Sequence, residues 1–152
     1  MKNTLIRGVN NVYSTAPLVT NNKFTPPFLR YVVIVIEILR LHLEGDQLFF
    51  TKINVQGKSI VDVLGIANSY LKDYAALLAF LQGMQQMLQK WTKTPQKFSP
   101  GDLQGSLGTL SSLMLRHMES QRKALSKDYL MKYCSDKELR DMITGESALS
   151  SN

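Results

Sequence analysis

Tyr31-Val32-Val33-Ile34-Val35-Ile36-Glu37-Ile38-Leu39-Arg40-Leu41-His42-Leu43 decides the fold. The run from Val32 to Ile36 is β-branched throughout and would suit a strand. Beyond it, Ile34, Ile38 and His42, with Leu41 and Leu48, continue a helical spacing well past strand length. The segment from Phe28 to about Phe50 therefore reads as a helix whose core side carries Ile38. Glu37, Arg40 and His42 make it too charged, and its apolar stretch is too short, to span a bilayer.

The helical period recurs along the rest of the chain. Ser59 to Trp91 carries Val63, Ile66, Tyr70, Tyr74, Leu77, Leu81, Met84 and Leu88 at helical spacing, which predicts a second long helix. A third begins near Pro100, a first-turn proline behind the cap candidate Ser99, and runs through Leu107, Leu110, Met114, His117 and Leu125. An amphipathic piece from Thr4 to Tyr13 precedes them, and one or two helices follow from Lys127 to Ile143. Residues 145–152 read as a frayed tail. Pro17 to Pro27, Gln56-Gly57-Lys58 and Thr92 to Gly101 carry the prolines and glycines of connections. Long helices joined by short loops predict an all-α, up-down four-helix bundle, with either end of the chain supplying the fourth wall.

The 152 residues hold 44% apolar and 20% charged side chains, a globular composition. Lys and Arg outnumber Asp and Glu by 18 to 12, but apart from the early excess of Lys2, Arg7, Lys23 and Arg30 the charges are dispersed, which argues against a nucleic-acid partner. Lys2 is not followed by a clean apolar run, so no signal peptide is expected. The single cysteine, Cys134, excludes an internal disulfide framework and fits a reduced, cytoplasmic setting. The oligomeric state is left open.

Three helices carry paired polar residues one turn apart: His42 with Asp46, Tyr70 with Tyr74, and His117 with Gln121. Pairs at this spacing share a helix face, and bundle cores are where ligand sites are built. Each has a bland reading. A lone histidine on an apolar face is most often a hydrogen-bonded core residue, and the tyrosines can be core aromatics with satisfied hydroxyls.

The order of these residues resembles the fungal hemerythrin-like proteins, which carry the HHE cation-binding domain. The resemblance starts at Leu5-Ile6-Arg7-Gly8-Val9-Asn10 with Tyr13 and Ala16-Pro17. It continues through Glu37 to Phe50, with Gly45 before Asp46 and then Phe49-Phe50, and ends at His117-Met118-Glu119-Ser120-Gln121. It implies one hemerythrin-like helical domain over residues 1–144 with a site at its centre. The family's metal-binding pairs are degenerate here. The second-helix pair is His42 and Asp46, the third-helix histidines stand as Tyr70 and Tyr74, and the fourth-helix acid as Gln121. A dinuclear iron site needs about five histidines and bridging carboxylates, so no metal and no other cofactor is expected.

Phenols, imidazoles and an amide inside an apolar wall describe a small-molecule site. No nucleophile motif, phosphate loop or dinucleotide fingerprint is present, which disfavours hydrolase, kinase and dehydrogenase chemistry. The expectation is a cofactor-free enzyme of fungal natural-product biosynthesis that cyclises, by a Diels-Alder type pericyclic closure, or isomerises an apolar, oxygenated substrate. Tyr70, Tyr74 or His42 would donate to a carbonyl, and Asp46 would orient His42. His117 and Gln121, with Ile38, Ile66, Leu77 and Met114, would hold the substrate. The alternatives are an iron- and dioxygen-binding protein, or a module that binds a small molecule without turning it over.

Overall fold

The computed structural model describes residues 2–52, 54–55 and 57–144. The chain is mostly helical, in the order α1 (Lys2–Thr15), α2 (Thr25–Lys52), α3 (Ile60–Val63), α4 (Ala67–Lys93), α5 (Pro100–Ala124), α6 (Lys127–Tyr133) and α7 (Asp136–Thr144). A two-residue antiparallel ladder joins β1 (Asn54–Val55) to β2 (Lys58–Ser59), with Asn54 opposite Ser59 and Val55 opposite Lys58. Gly57, at φ 76°, turns that hairpin in a conformation side chains resist. No helix among the described residues is long and apolar enough to cross a membrane.

Local chemistry sets most of the boundaries. Pro26 and Pro27 occupy the first turn of α2, where a missing N–H costs nothing. Ser99 caps α5 through the Asp102 amide at 3.2 Å, as its sequence predicts. Ser135 and Glu138 form a reciprocal capping box at the start of α7. The helix expected from Ser59 to Trp91 is interrupted. α3 ends after one turn, Gly65 adopts φ 65°, and the amides of Gly65 and Ile66 bond back to Asp62 and Val61. That is a Schellman closure, and it forces the chain to restart as α4.

The residues form two compact units, Met1–Leu43 with Ala76–Met114 and Glu44–Ala75 with Leu115–Asn152. In the first, α1 and α2 run antiparallel: Asn11 Nδ2 donates to Tyr31 Oη at 3.1 Å, and Gly8 faces Val35. Gln85 of α4 bonds Glu37 of α2 at 2.9 Å, Ser106 of α5 meets Met87 of α4, and Gln104 of α5 donates to the Tyr13 carbonyl at 3.0 Å. Leu29, Val32, Ile36 and Leu39 pack the interior with Leu77, Leu81, Leu88, Leu103, Leu107 and Leu110. Each such burial contributes about 1.5–3 kcal/mol. Phe98 lies against Phe28 and edge-on to Trp91, which anchors the α4–α5 connection.

In the second unit, Phe50, Ile60, Val61, Leu64, Tyr70 and Ala124 form the buried cluster, covered by Tyr129, Leu130, Tyr133 and Leu139 from α6 and α7. The Tyr129 hydroxyl donates to the Leu64 carbonyl at 2.9 Å. The tail expected to fray, 145–152, lies outside the described residues.

One expected face is wrong. Ile34 and Ile38 point outward at 56% and 49% exposure, with Leu41 and Leu48 similarly open. α2 buries Val32, Ile36, Leu39 and Leu43 instead. The helix is apolar on nearly every side, so its periodicity fits two phases, and packing against the neighbouring helices selects one. Ile38 therefore does not wall a core site.

Candidate functional site

α2, α4 and α5 bring four polar side chains together in the second unit. Gln121, on α5, stands at the centre. Its Nε2 lies 3.1 Å from Asp46 Oδ2 on α2, 3.4 Å from Tyr70 Oη on α4 and 3.2 Å from His117 Nε2 one turn back on α5. An amide nitrogen has two hydrogens for these three acceptors, so the strongest donation goes to the Asp46 carboxylate and the other two share the second. Tyr70, His117 and Gln121 are almost completely buried, while Asp46 and Tyr74 are partly so. Burial strengthens such shared hydrogen bonds relative to the same bonds in water.

The rings pack as closely as the polar atoms. Tyr70 stacks on Phe50 at 4.9 Å, and His117 lies 5.0 Å from Tyr70 and 6.1 Å from Tyr74. Burial pushes the Tyr70 phenol up to about 12, and the Asp46 carboxylate adds to that shift while the Gln121 hydrogen bond opposes it. Tyr70 is therefore a neutral donor at physiological pH and no base. Burial also raises the Cys134 thiol, which disfavours thiolate chemistry there.

The expected pairing of Gln121 with His117 is present, and Tyr70, Tyr74, Asp46 and the α5 pair share one site. His42, Leu77 and Met114 belong to the first unit. Leu77 is fully buried there, and His42 and Met114 are half-buried. A recess of about 220 Å³ opens beside Tyr70. Ile66, Ser69, Ser120, Lys123 and Tyr129 line it with Tyr70. Tyr70 and Ile66 are thus the two expected residues at this opening, and the expected tyrosine–histidine lining does not describe it. Ser69, Ser120, Lys123 and Tyr129 escaped the sequence reading. The one available signal was spacing: Ser120, Lys123 and Ala124 share a helix face.

The metal implied by the resemblance does not suit these side chains. Among the described residues, no three of His, Cys, Asp and Glu gather to hold an ion. In the cluster itself one imidazole and one carboxylate meet the N–H₂ end of Gln121, which donates and cannot ligate. No family model, curated protein or solved structure matches the chain.

Proposed function

We propose that the chain is an up-down four-helix bundle of the hemerythrin-like class that has exchanged metal chemistry for a cofactor-free small-molecule site, and that it cyclises or isomerises an apolar, oxygenated substrate. One observation carries this reading: Tyr70, whose hydroxyl accepts from the buried Gln121 amide, is among the residues that line the recess. Hydrogen bonds in series polarise one another, so the bond from Gln121 makes the phenol a better donor. A carbonyl oxygen presented to Tyr70 gains negative character as a ring closes or an enol forms, and a fixed donor stabilises that change more than it stabilises the ground state. Ile66 and the rings of Tyr70 and Tyr129 hold the apolar body. Lys123 and the two serines suit its oxygens. The ring of helix contacts in the first unit, from α1 through α2, α4 and α5 and back to α1, supports the bundle.

A second reading, binding without turnover, draws support from the size of the recess. At about 220 Å³ it is smaller than the usual drug-sized pocket of roughly 300–1,000 Å³. The test is a panel of cyclic enones and linear triene-enones of graded size. Binding is followed by protein-observed NMR and ring closure by mass-resolved chromatography. The proposed enzyme binds the small members and accelerates closure of at least one triene-enone, and Tyr70→Phe lowers kcat by roughly 10- to 1,000-fold with the fold intact. Binding without acceleration selects the second reading. No binding to any member overturns both.

A further inference from the structure

The recess beside Tyr70 has a sign as well as a volume. Of the residues that line it, Lys123 alone carries a charge, and no acid is among them. Glu119 and Asp128 flank Lys123 in sequence and Asp73 follows Tyr70, but none of these lines the recess, nor does Asp46 of the polar cluster. Among the described residues Lys123 makes no ion pair, even with Glu119 one turn back on α5.

The hydroxyls around it differ in what they have left to donate. Ser69 Oγ donates to the Ile66 carbonyl at 3.1 Å and Tyr129 Oη to the Leu64 carbonyl at 2.9 Å, so both protons are committed to backbone. Ser120 donates to no group among the described residues. It stands three residues before Lys123, on the same side of α5. An ammonium and a hydroxyl, neighbours on one helix face, are therefore the donors that α5 leaves open at the recess. The start of α4 adds to the same sign, because Ser69 and Tyr70 lie in its first turn, where the helix dipole is positive.

We infer that the molecule taken here is a monocarboxylate, its acid group held by Lys123 and Ser120 and its apolar body lying against Ile66, Ala124 and the Tyr129 ring. The inference rests on the small-molecule reading of this recess and narrows it to acids. A volume of about 220 Å³ is the share of about seven waters, which suits one six-membered ring with its acid group. The two carboxylate oxygens take the ammonium and the hydroxyl, and a charge-assisted pair of this kind contributes about 10- to 100-fold in affinity. Lys123 thereby selects the substrate and takes no part in making or breaking its bonds.

The test uses one carbon skeleton in three charge states: cyclohexenecarboxylate, its primary amide and cyclohexenylmethylamine. Each is titrated into the purified full chain and followed by protein-observed NMR. The carboxylate should bind at least about 10-fold more tightly than the amide, with shifts at Ser69, Ser120 and Tyr129, and the amine should not bind. Raising the salt from about 0.05 to 0.5 M should weaken the carboxylate and spare the amide. Lys123→Gln should bring the carboxylate down to the affinity of the amide and leave the amide unchanged. Lys123→Glu should reverse the order, so that the amine outbinds the carboxylate, a gain that an unfolded variant could not produce. An amide that matches the carboxylate in the unmodified chain overturns the inference, and so does a carboxylate preference that survives in Lys123→Gln. In either case the recess remains a site for neutral molecules and the reading beneath the inference stands. Acetate binding as tightly as the ring acid would show a charged surface with no pocket and overturns it as well. If none of the three skeleton members binds, the inference and the small-molecule reading fall together.

Discussion

Tyr70 concentrates the chemistry of the second unit in one hydroxyl. An ordinary phenol titrates near 10, whereas burial holds this one neutral up to about 12. The folded state thus has the higher pKa, and it binds the proton more tightly than the unfolded chain does. The stabilisation is complete below pH 10 and is lost as pH rises from 10 through about 12. The size of the loss is on the order of 2 kcal/mol. Urea unfolding at pH 8.5 and at pH 11.5 should show the unmodified chain losing that much more stability than Tyr70→Phe. A parallel loss in both would mean that lysines and the other tyrosines account for all of it. The polar pairs were legible as helix-spaced residues, but their partners were not. Gln121 joins Asp46 across 75 positions of sequence and Tyr70 across 51. Spacing within a helix carries no information about which helix stands opposite.

At the scale of elements, adjacent valines in α2 test which face is buried. Val32 is completely buried and Val33 is 40% exposed, and both lie away from the helix ends. Val32→Ala should cost about 2–3 kcal/mol by thermal or urea unfolding, the sum of lost transfer energy and a residual cavity. Val33→Ala should cost nothing or stabilise slightly, since alanine is the better helix former. Equal losses at both positions would contradict the observed phase. The helix itself was readable despite five consecutive β-branched residues, because apolar spacing persisted too long for a strand. The break at Gly65 was not. A single glycine within a helical pattern is tolerated often enough that only its φ of 65° and the back-bonds from Gly65 and Ile66 reveal a stop.

For the whole molecule, α2 carries the exposed apolar side chains Ile34, Ile38 and Leu41 opposite a buried face of Val32, Ile36 and Leu39. The same exposed side chains explain why the face of α2 was misread. A helix that is apolar towards its own interior and also outward presents two hydrophobic stripes, and hydropathy alone cannot rank them.

The sequence by itself determined the helical class, most helix boundaries, the Ser99 cap and the short list of polar residues from which the site is drawn. These rest on interactions spanning one or two turns: periodic burial, proline at first turns, and serine next to free amides. Only the tertiary structure decided that Ile38 faces outward, that Gln121 rather than a histidine centres the polar cluster, and that Lys123, Ser120 and Tyr129 line the recess beside Tyr70. Those outcomes depend on which helices meet and at what rotation. That choice is made by the fit of whole faces, a sum over many distant contacts that no local pattern records.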